Sequence, residues 1–194
     1  MDQQKIGQLI RRLRQELNLT QKQIADKMGI SDKAVSKWER GHGMPDISFL
    51  SELSEILNVD LDALMSGEVE VNQSQGGNMR KIQFYVCSEC GNIITSTGEA
   101  AINCCGKKLS PLDMKKAEEQ QKLKVEIIEN EYYVSSNHEM KKEHYIDFVA
   151  VINGDSLILR KQYPEWDLST RIPKLGHGQL VWHCNKHGLF YQLV

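Results

Sequence analysis

The sequence predicts a multidomain α+β chain: an N-terminal five-helix bundle, a small four-cysteine module and a C-terminal antiparallel β-sandwich. Three observations lead there. Apolar residues recur at helical spacing through residues 1–67 and in short strand-like runs towards the end of the 194-residue chain. All five cysteines lie beyond residue 86. Between the two regimes, EVEVNQSQGGNMR at 68–80 has the polar, Gly/Asn/Gln-rich composition of a linker. The expected boundaries are therefore 1–67, the linker 68–80, a cysteine module 81–112 and a sandwich 113–194.

The helices follow in order. Ile6, Leu9, Ile10, Leu13 and Leu17 repeat with the period of a first helix. Thr20 and Gln23 form a T-x-x-Q capping box that opens a second, and Gly29 closes it. Ser31 caps a third, DKAVSKWER, which stops at Gly41. Asp46 caps a fourth, with Ile47, Leu50, Leu53, Ile56 and Leu57 expected on its buried side. LDALM after Asp60 makes a short fifth.

Residues 81–194 hold most of the strand-like runs. KVEIIE and YYVSS flank a turn near Asn130, and DFVAVI and LILRK flank NGDS, whose Asn-Gly pair is a strong hairpin signal. VW and GLFYQLV supply further strands. Several short strands closed by turns point to a small β-sandwich.

Composition bounds the function. A hydrophobic fraction of 40% and a charged fraction of 26% are those of a globular protein. No apolar run reaches the length of a membrane span, and MDQQKIGQLIRRLRQ lacks a signal core, so a cytoplasmic protein without a membrane partner is expected. Cytoplasmic thiols stay reduced, which makes the cysteines metal ligands or reactive groups rather than disulfides. The net charge of −2 hides an asymmetry: residues 1–45 hold nine Lys and Arg against five acids, while 46–67 hold five acids and no Lys or Arg. A basic face on a small domain suits a polyanion.

LTQKQIADKMGISDKAVSKWERG resembles the helix-turn-helix of the phage-repressor and Cro-like (XRE) regulators, and the resemblance runs over about residues 5–66. It implies a DNA-binding transcription regulator whose third helix enters the major groove. That helix offers Ser31, Asp32, Lys33, Ser36 and Lys37 to solvent. The resemblance makes Lys33, Ser36 and Lys37 the base or phosphate contacts and puts Gln21 on backbone phosphate. It also pairs Arg14 with Glu39 as an internal ion pair. Ala25, Ile30, Val35 and Trp38 belong to the core. One such domain covers one half-site of double-stranded DNA, so a homodimer is expected.

CSECGN places Cys87 and Cys90 three apart, and INCCGKK supplies Cys104 and Cys105. Two thiolate pairs on facing turns can surround one tetrahedral ion, zinc or iron. Gly91 and Gly106 follow the ligands and let backbone N–H groups approach the sulfurs. CxxCGN followed by CCG, over residues 82–112, resembles the desulforedoxin module of desulfoferrodoxins, which implies iron at Cys87, Cys90, Cys104 and Cys105.

Two later segments extend this. HEMKKEHYI and WHCNKHGLF resemble, in the right order, the metal-binding segments of the superoxide-reductase domain of desulfoferrodoxin. The resemblance implies a second iron held by His138, His144, Cys184 and His187, with superoxide or another oxidant as partner. Six residues of helix would turn His138 and His144 about 240° apart, so a loop or strand must carry them. The family's fourth histidine, about twenty residues before His138, has no counterpart: that region reads KKAEEQQKLKVEIIEN, and no histidine lies between His42 and His138. His177, in a Gly-flanked loop, and His183, expected on the opposite side of a strand from Cys184, are the available substitutes. The resemblance leaves three functions open: a redox-sensing regulator, a superoxide reductase carrying a DNA-binding head, and a repressor with a purely structural four-cysteine site.

Overall fold

The computed structural model describes residues 2–69 and 79–194. Most of the expected 68–80 linker therefore lies outside the described residues. The chain forms two compact units, Met1–Val71 and Asn72–Val194.

The first unit is helical. Its elements are α1 (Gln3–Glu16), α2 (Gln21–Lys27), α3 (Asp32–Glu39), α4 (Ile47–Leu57) and α5 (Leu61–Ser66). Each has an Asp, Thr or Ser N-cap whose side chain accepts a backbone N–H, from Asp2, Thr20, Ser31, Asp46 and Asp60 in turn. The capping box closes as expected: Thr20 Oγ1 accepts from Gln23 N at 3.1 Å, and Thr20 N donates to Gln23 Oε1 at 2.7 Å. The core gathers Ile6, Ile10, Ile24, Val35, Leu53 and Leu64. Gly7 has a packing role. A Cβ there would meet the Trp38 carbonyl oxygen at 2.2 Å, so only glycine lets α1 and the end of α3 touch.

Two apolar residues depart from the periodic pattern. Ile47 is 81% exposed rather than core. It is the first residue of α4, and helical side chains lean back over the preceding turn. No turn precedes it, so Ile47 overhangs the end of the core. Leu17 is 42% exposed, because α1 stops at Glu16 and Leu17 is its C-cap.

The second unit has three layers. β6 (Lys124–Ile128), β7 (Glu131–Ser135) and β10 (Ser169–Pro173) form a sheet in the order β10-β7-β6. β5 (Met114–Lys116), β8 (Ile146–Asn153), β9 (Ser156–Lys161), β11 (Gln179–Cys184) and β12 (Gly188–Leu193) form a second, in the order β5-β12-β11-β8-β9. All pairs are antiparallel except β5 with β12. Val134, Ile172, Val149, Leu180 and Trp182 fill the space between the sheets. The expected hairpins are in place; β5 and β10 are additional strands.

The cysteine segment makes the third layer. β1 (Gln83–Val86) pairs with β2 (Ile93–Ser96), and β3 (Ile102–Cys104) with β4 (Lys107–Leu109). Ile82 and Phe84 pack on Phe148, Ala150, Ile152 and Val181, the outer face of the five-stranded sheet. β8 is therefore covered on both faces, which explains why FVAVI, after Asp147, reads as an unbroken apolar run. The module shares a core with the sandwich rather than standing apart. Among the described residues no helix is long and apolar enough to cross a membrane.

Candidate metal centres and nucleic-acid interface

In the helical unit, Ser31, Lys33 and Lys37 are exposed and Ser36 is half-buried on α3. Ser31 also caps that helix, accepting from Ala34 N at 3.2 Å. Trp38, Val35 and Ala25 are buried. Arg14 Nε meets Glu39 Oε1 at 2.5 Å and its Nη2 meets Oε2 at 3.0 Å, while Nη1 donates to the Leu19 carbonyl at 2.7 Å. Gln21 donates to the same Glu39 Oε2 at 2.8 Å. One carboxylate thus ties α1, the start of α2 and the end of α3 together, and Gln21 is held in place by it.

The four cysteines converge. Cys87, Cys90, Cys104 and Cys105 present sulfurs within 4.8 Å of one another. The first pair sits on a knuckle closed by Gly91 N to Cys87 O at 2.9 Å and Cys87 N to Asn92 O at 2.9 Å. The second sits on the β3–β4 hairpin. Cys104 pairs with Lys107, leaving Cys105 and Gly106 as a two-residue turn, with φ of 49° and 73°. Positive φ at both positions is the primed hairpin turn. Gly106 accepts it freely, and Cys105 adopts it at a cost that places its sulfur beside the other three. Backbone N–H groups of Cys90 and Glu89 bring the Cys87 thiol down to about 7. The Cys105 thiol, crowded by Cys90, Cys87 and Cys104, is pushed up to about 12. The sulfurs of one cluster therefore differ in how readily they give up a proton. An ion that replaces those protons fits this donor set.

His138, His144, Cys184 and His187 also converge, with donor atoms within 4.8 Å of one another. His144 Nε2 lies 3.4 Å from His187 Nδ1, which lies 3.5 Å from Cys184 Sγ. Two loops build the cluster. Residues 136–145, between β7 and β8, carry His138 and His144, and the β11–β12 turn carries His187. Asn185 joins them: its Oδ1 accepts from Tyr145 N at 3.0 Å, its Nδ2 donates to Glu143 O at 3.3 Å, and its N donates to Tyr145 O at 3.1 Å. Glu139 Oε2 lies 3.2 Å from His144 Nδ1, which fixes the ring and aims Nε2 at the other donors.

Both ring nitrogens of His138 are buried and have no hydrogen-bond partner among the described residues. An unpaired buried imidazole is costly, and an ion would satisfy it. Burial, then the neighbouring His144, holds His138 below its ordinary value, so it stays neutral and ready to donate a lone pair. Burial raises the Cys184 thiol, against the N–H groups of Lys186 and His187 that point at its sulfur. Imidazole nitrogens with one thiolate suit a transition ion such as iron, zinc or copper.

Residues 10–64 match the family described as Helix-turn-helix. A desulfoferrodoxin homolog from Archaeoglobus fulgidus is 31% identical over 125 residues, covering 56% of this chain and 94% of that protein. The chain belongs to the desulfoferrodoxin family. The HTH-type transcriptional activator BcrR of Enterococcus faecalis is 36% identical over 80 residues, 40% of this chain; the chain spans 39% of BcrR's own length. Among solved structures, the superoxide reductase from Treponema pallidum aligns at a TM-score of 0.49 with 17% identity, over 57% of this chain and 96% of that one.

Within the desulfoferrodoxin-type unit neither spare histidine joins the second cluster. His183 faces the opposite side of β11, where its Nδ1 lies 2.9 Å from both Asp147 carboxylate oxygens and its ring stacks on Phe148 at 6.0 Å. A bulge makes this possible: His183 pairs with Phe148 but Cys184 with Ile146, which frees Asp147 to turn towards the imidazole. His177 lies in a loop whose carbonyl accepts from Asn153. The segment with no histidine, Gln120 to Lys124, instead forms one wall of a cleft of about 640 Å³ that opens on His138, Cys184 and His187. Asn185, Glu139 and Asp147 were not singled out from the sequence. The Asn185 signal lay inside WHCNKHGLF, next to the ligand cysteine.

Proposed function

We propose that the chain is a sequence-specific DNA-binding transcription regulator whose C-terminal unit holds iron and senses its redox state or occupancy. The observation that carries this is the presence, in one chain, of a helix-turn-helix match and two converged donor clusters in a unit of the desulfoferrodoxin family. Lys33, Ser36 and Lys37, with Ser31 and Gln21 at the flanks, contact double-stranded DNA as a homodimer in the cytoplasm. Iron occupies Cys87, Cys90, Cys104 and Cys105, where zinc is the competing ion, and also His138, His144, Cys184 and His187. Bound iron supplies one-electron chemistry. The chain's residues hold it, orient the imidazoles through Glu139 and Asn185, and shield Cys184.

The test is elemental analysis of anaerobically purified protein, followed by binding to its own upstream DNA in reduced, oxidised and chelator-treated forms. Two irons per chain and an affinity that changes about tenfold or more between forms, a coupling of about 1.4 kcal/mol, are expected. A colourless, zinc-loaded protein would leave only a repressor with a structural four-cysteine site. Equal affinity in all three forms would remove the sensor.

A second function has its own support. The convergence of all four second-site donors beside an open cleft favours a superoxide reductase carrying a DNA-binding head. The absence of a histidine in the Gln120–Lys124 wall counts against it. Superoxide decay after pulse radiolysis decides: a rate equal to that of buffer excludes catalysis.

A further inference from the structure

A buried charge lies on the face of β11 turned away from the imidazole–thiolate cluster. His183 and Asp147 meet there as a pair, 6% and 2% exposed. The two carboxylate oxygens share His183 Nδ1 at 2.9 Å each, and among the described residues no Lys or Arg is paired with Asp147. The surroundings are apolar: Phe148 stacks on the imidazole at 6.0 Å, and Phe84, Ala150 and Val181 belong to the same core. Taking a carboxylate out of water costs several kcal/mol, and a single imidazole partner offsets only part of that. Two apolar side chains would fill this layer at lower cost, so packing alone does not account for the pair.

Its place in the strand does. The register between β11 and β8 slips between His183 and Cys184: His183 faces Phe148, Cys184 faces Ile146, and Asp147 is the residue passed over. One bulge therefore has two effects. It puts the Cys184 sulfur 3.5 Å from His187 Nδ1, and it sets the Asp147 carboxylate behind the same strand position. Gln162 N donates to the Asp147 carbonyl at 2.8 Å and fixes the bulged residue. The Cys184 thiol registers the charge. Burial raises it most, and Asp147 raises it further, against the backbone N–H groups of Lys186 and His187 and the Lys186 ammonium. A carboxylate that makes a sulfur hold its proton more tightly also makes that sulfur a stronger electron donor. Its field favours the more positive state of whatever the sulfur binds.

We infer that Asp147, held by His183, is a positioning residue of the second site: acting through the Cys184 sulfur, its charge lowers the reduction potential of the bound ion. The inference rests on the second site holding iron, as in the function proposed above, and names what sets that iron's readiness to give up an electron. Asp147 itself belongs to neither donor cluster. His183 keeps the carboxylate hydrogen-bonded and aimed, and the layer that carries Phe84 covers this face of the sheet, so the charge acts in a poorly screened setting.

The experiment is a redox titration of the full chain, purified anaerobically with iron, after metal content per chain has been measured. The imidazole–thiolate and four-thiolate irons are followed separately by their visible absorption. Asp147→Asn removes the charge but keeps the shape and an acceptor for His183. It is expected to raise the second-site potential, so that the ferric-to-ferrous ratio at a fixed applied potential falls about tenfold, equal to about 59 mV for one electron. The four-thiolate potential is expected to move less. Asp147→Leu combined with His183→Phe replaces the pair by apolar side chains and covers the case in which the single substitution unfolds the layer. It is expected to give the same rise.

The outcomes separate. Two irons per chain and an unchanged second-site potential in either variant overturn the inference: the pair is then structural only, and the metal-holding regulator still stands. An equal rise at both irons also overturns it, because the charge is then not acting through Cys184. An unsubstituted chain that holds iron only at the cysteine module overturns both this inference and the function proposed above, and the metal analysis distinguishes that failure from the others.

Discussion

Replacing Arg14 by methionine should cost the helical unit most of its stability. The Glu39 side chain is 2% exposed and that of Arg14 13%, so the pair is largely removed from water. Arg14 gives Glu39 two hydrogen bonds, at 2.5 and 3.0 Å, and the Leu19 carbonyl a third at 2.7 Å. Methionine fills the space but donates nothing. Glu39 then keeps a buried charge with only the Gln21 amide as partner. Removing one member of a buried pair costs about 3–5 kcal/mol, and the abandoned Leu19 carbonyl adds about 1 kcal/mol. A unit of this size has about 3–10 kcal/mol in total. Urea unfolding of the full chain, followed by helical circular dichroism, measures the loss. Methionine at both positions should recover at least about 2 kcal/mol relative to Arg14→Met alone, since no charge is then stranded. A loss below about 1 kcal/mol in Arg14→Met, with an unchanged denaturant slope, would refute the argument. A reduced salt dependence of DNA binding in the folded variant would show that Arg14 contacts phosphate instead.

Lys37→Ala should weaken binding to upstream DNA and flatten the plot of log affinity against log salt by about 0.9, the release of one counterion; an unchanged slope places the contact elsewhere. Metal capture by the cysteine module should release protons and tighten with pH. The Cys87 thiol is already ionised above about 7, whereas Cys104 is raised and Cys105 reaches about 12. At a pH of about 8 these last two still hold protons that the ion must displace. Calorimetry in buffers of different ionisation enthalpy should find roughly two protons or more per ion, and affinity falling on acidification. Zero proton release would mean that the thiols are already ionised. Asn185→Ala should loosen the second site about tenfold or more while leaving the first intact. Loss of one ion, not two, in elemental analysis after mild chelation checks it.

Which features the sequence revealed depends on the range of the interaction behind them. The helix caps were legible because a capping side chain bonds an amide two or three residues away, as Thr20 and Ser31 do. The cysteine pairs were legible for the same reason: their spacing within each turn fixes their geometry. CCG even encodes its own turn, with Cys105 and Gly106 at positive φ. The ion pair of Arg14 and Glu39 and the second-site donors are long-range, and only the family resemblance reached them. Ile47 and Leu17 carry the right period but stand at helix ends, where periodicity alone does not say whether a core lies alongside. β5 and β10 were missed because MKK and STRIP carry no alternating apolar pattern. Backbone pairing to β12 and β7 creates them. Asn185, Glu139 and Asp147 depend on loops meeting across the fold, and a polar residue in a loop looks the same whether it bridges or not.

The two clusters are buried differently. Cys90 and Cys105 are exposed, so oxidants and competing metals reach the first site directly. Cys184 is buried, its thiol is raised, and the large opening near it is the cleft. Reactivity of a thiol follows thiolate character and access. Access to the two clusters therefore differs: the first is open at Cys90 and Cys105, and the second is reached through the cleft. The Phe84–Phe148 stack, at 5.3 Å, and the Phe148–His183 stack tie the layers carrying them into one core. β1, which leads into Cys87, lies on one face of the five-stranded sheet. Cys184 points from the other face, one residue from His183. A change that repacks either face must pass through β8 and β11, strands that both faces share. The two clusters are thus supported from opposite faces of one sheet.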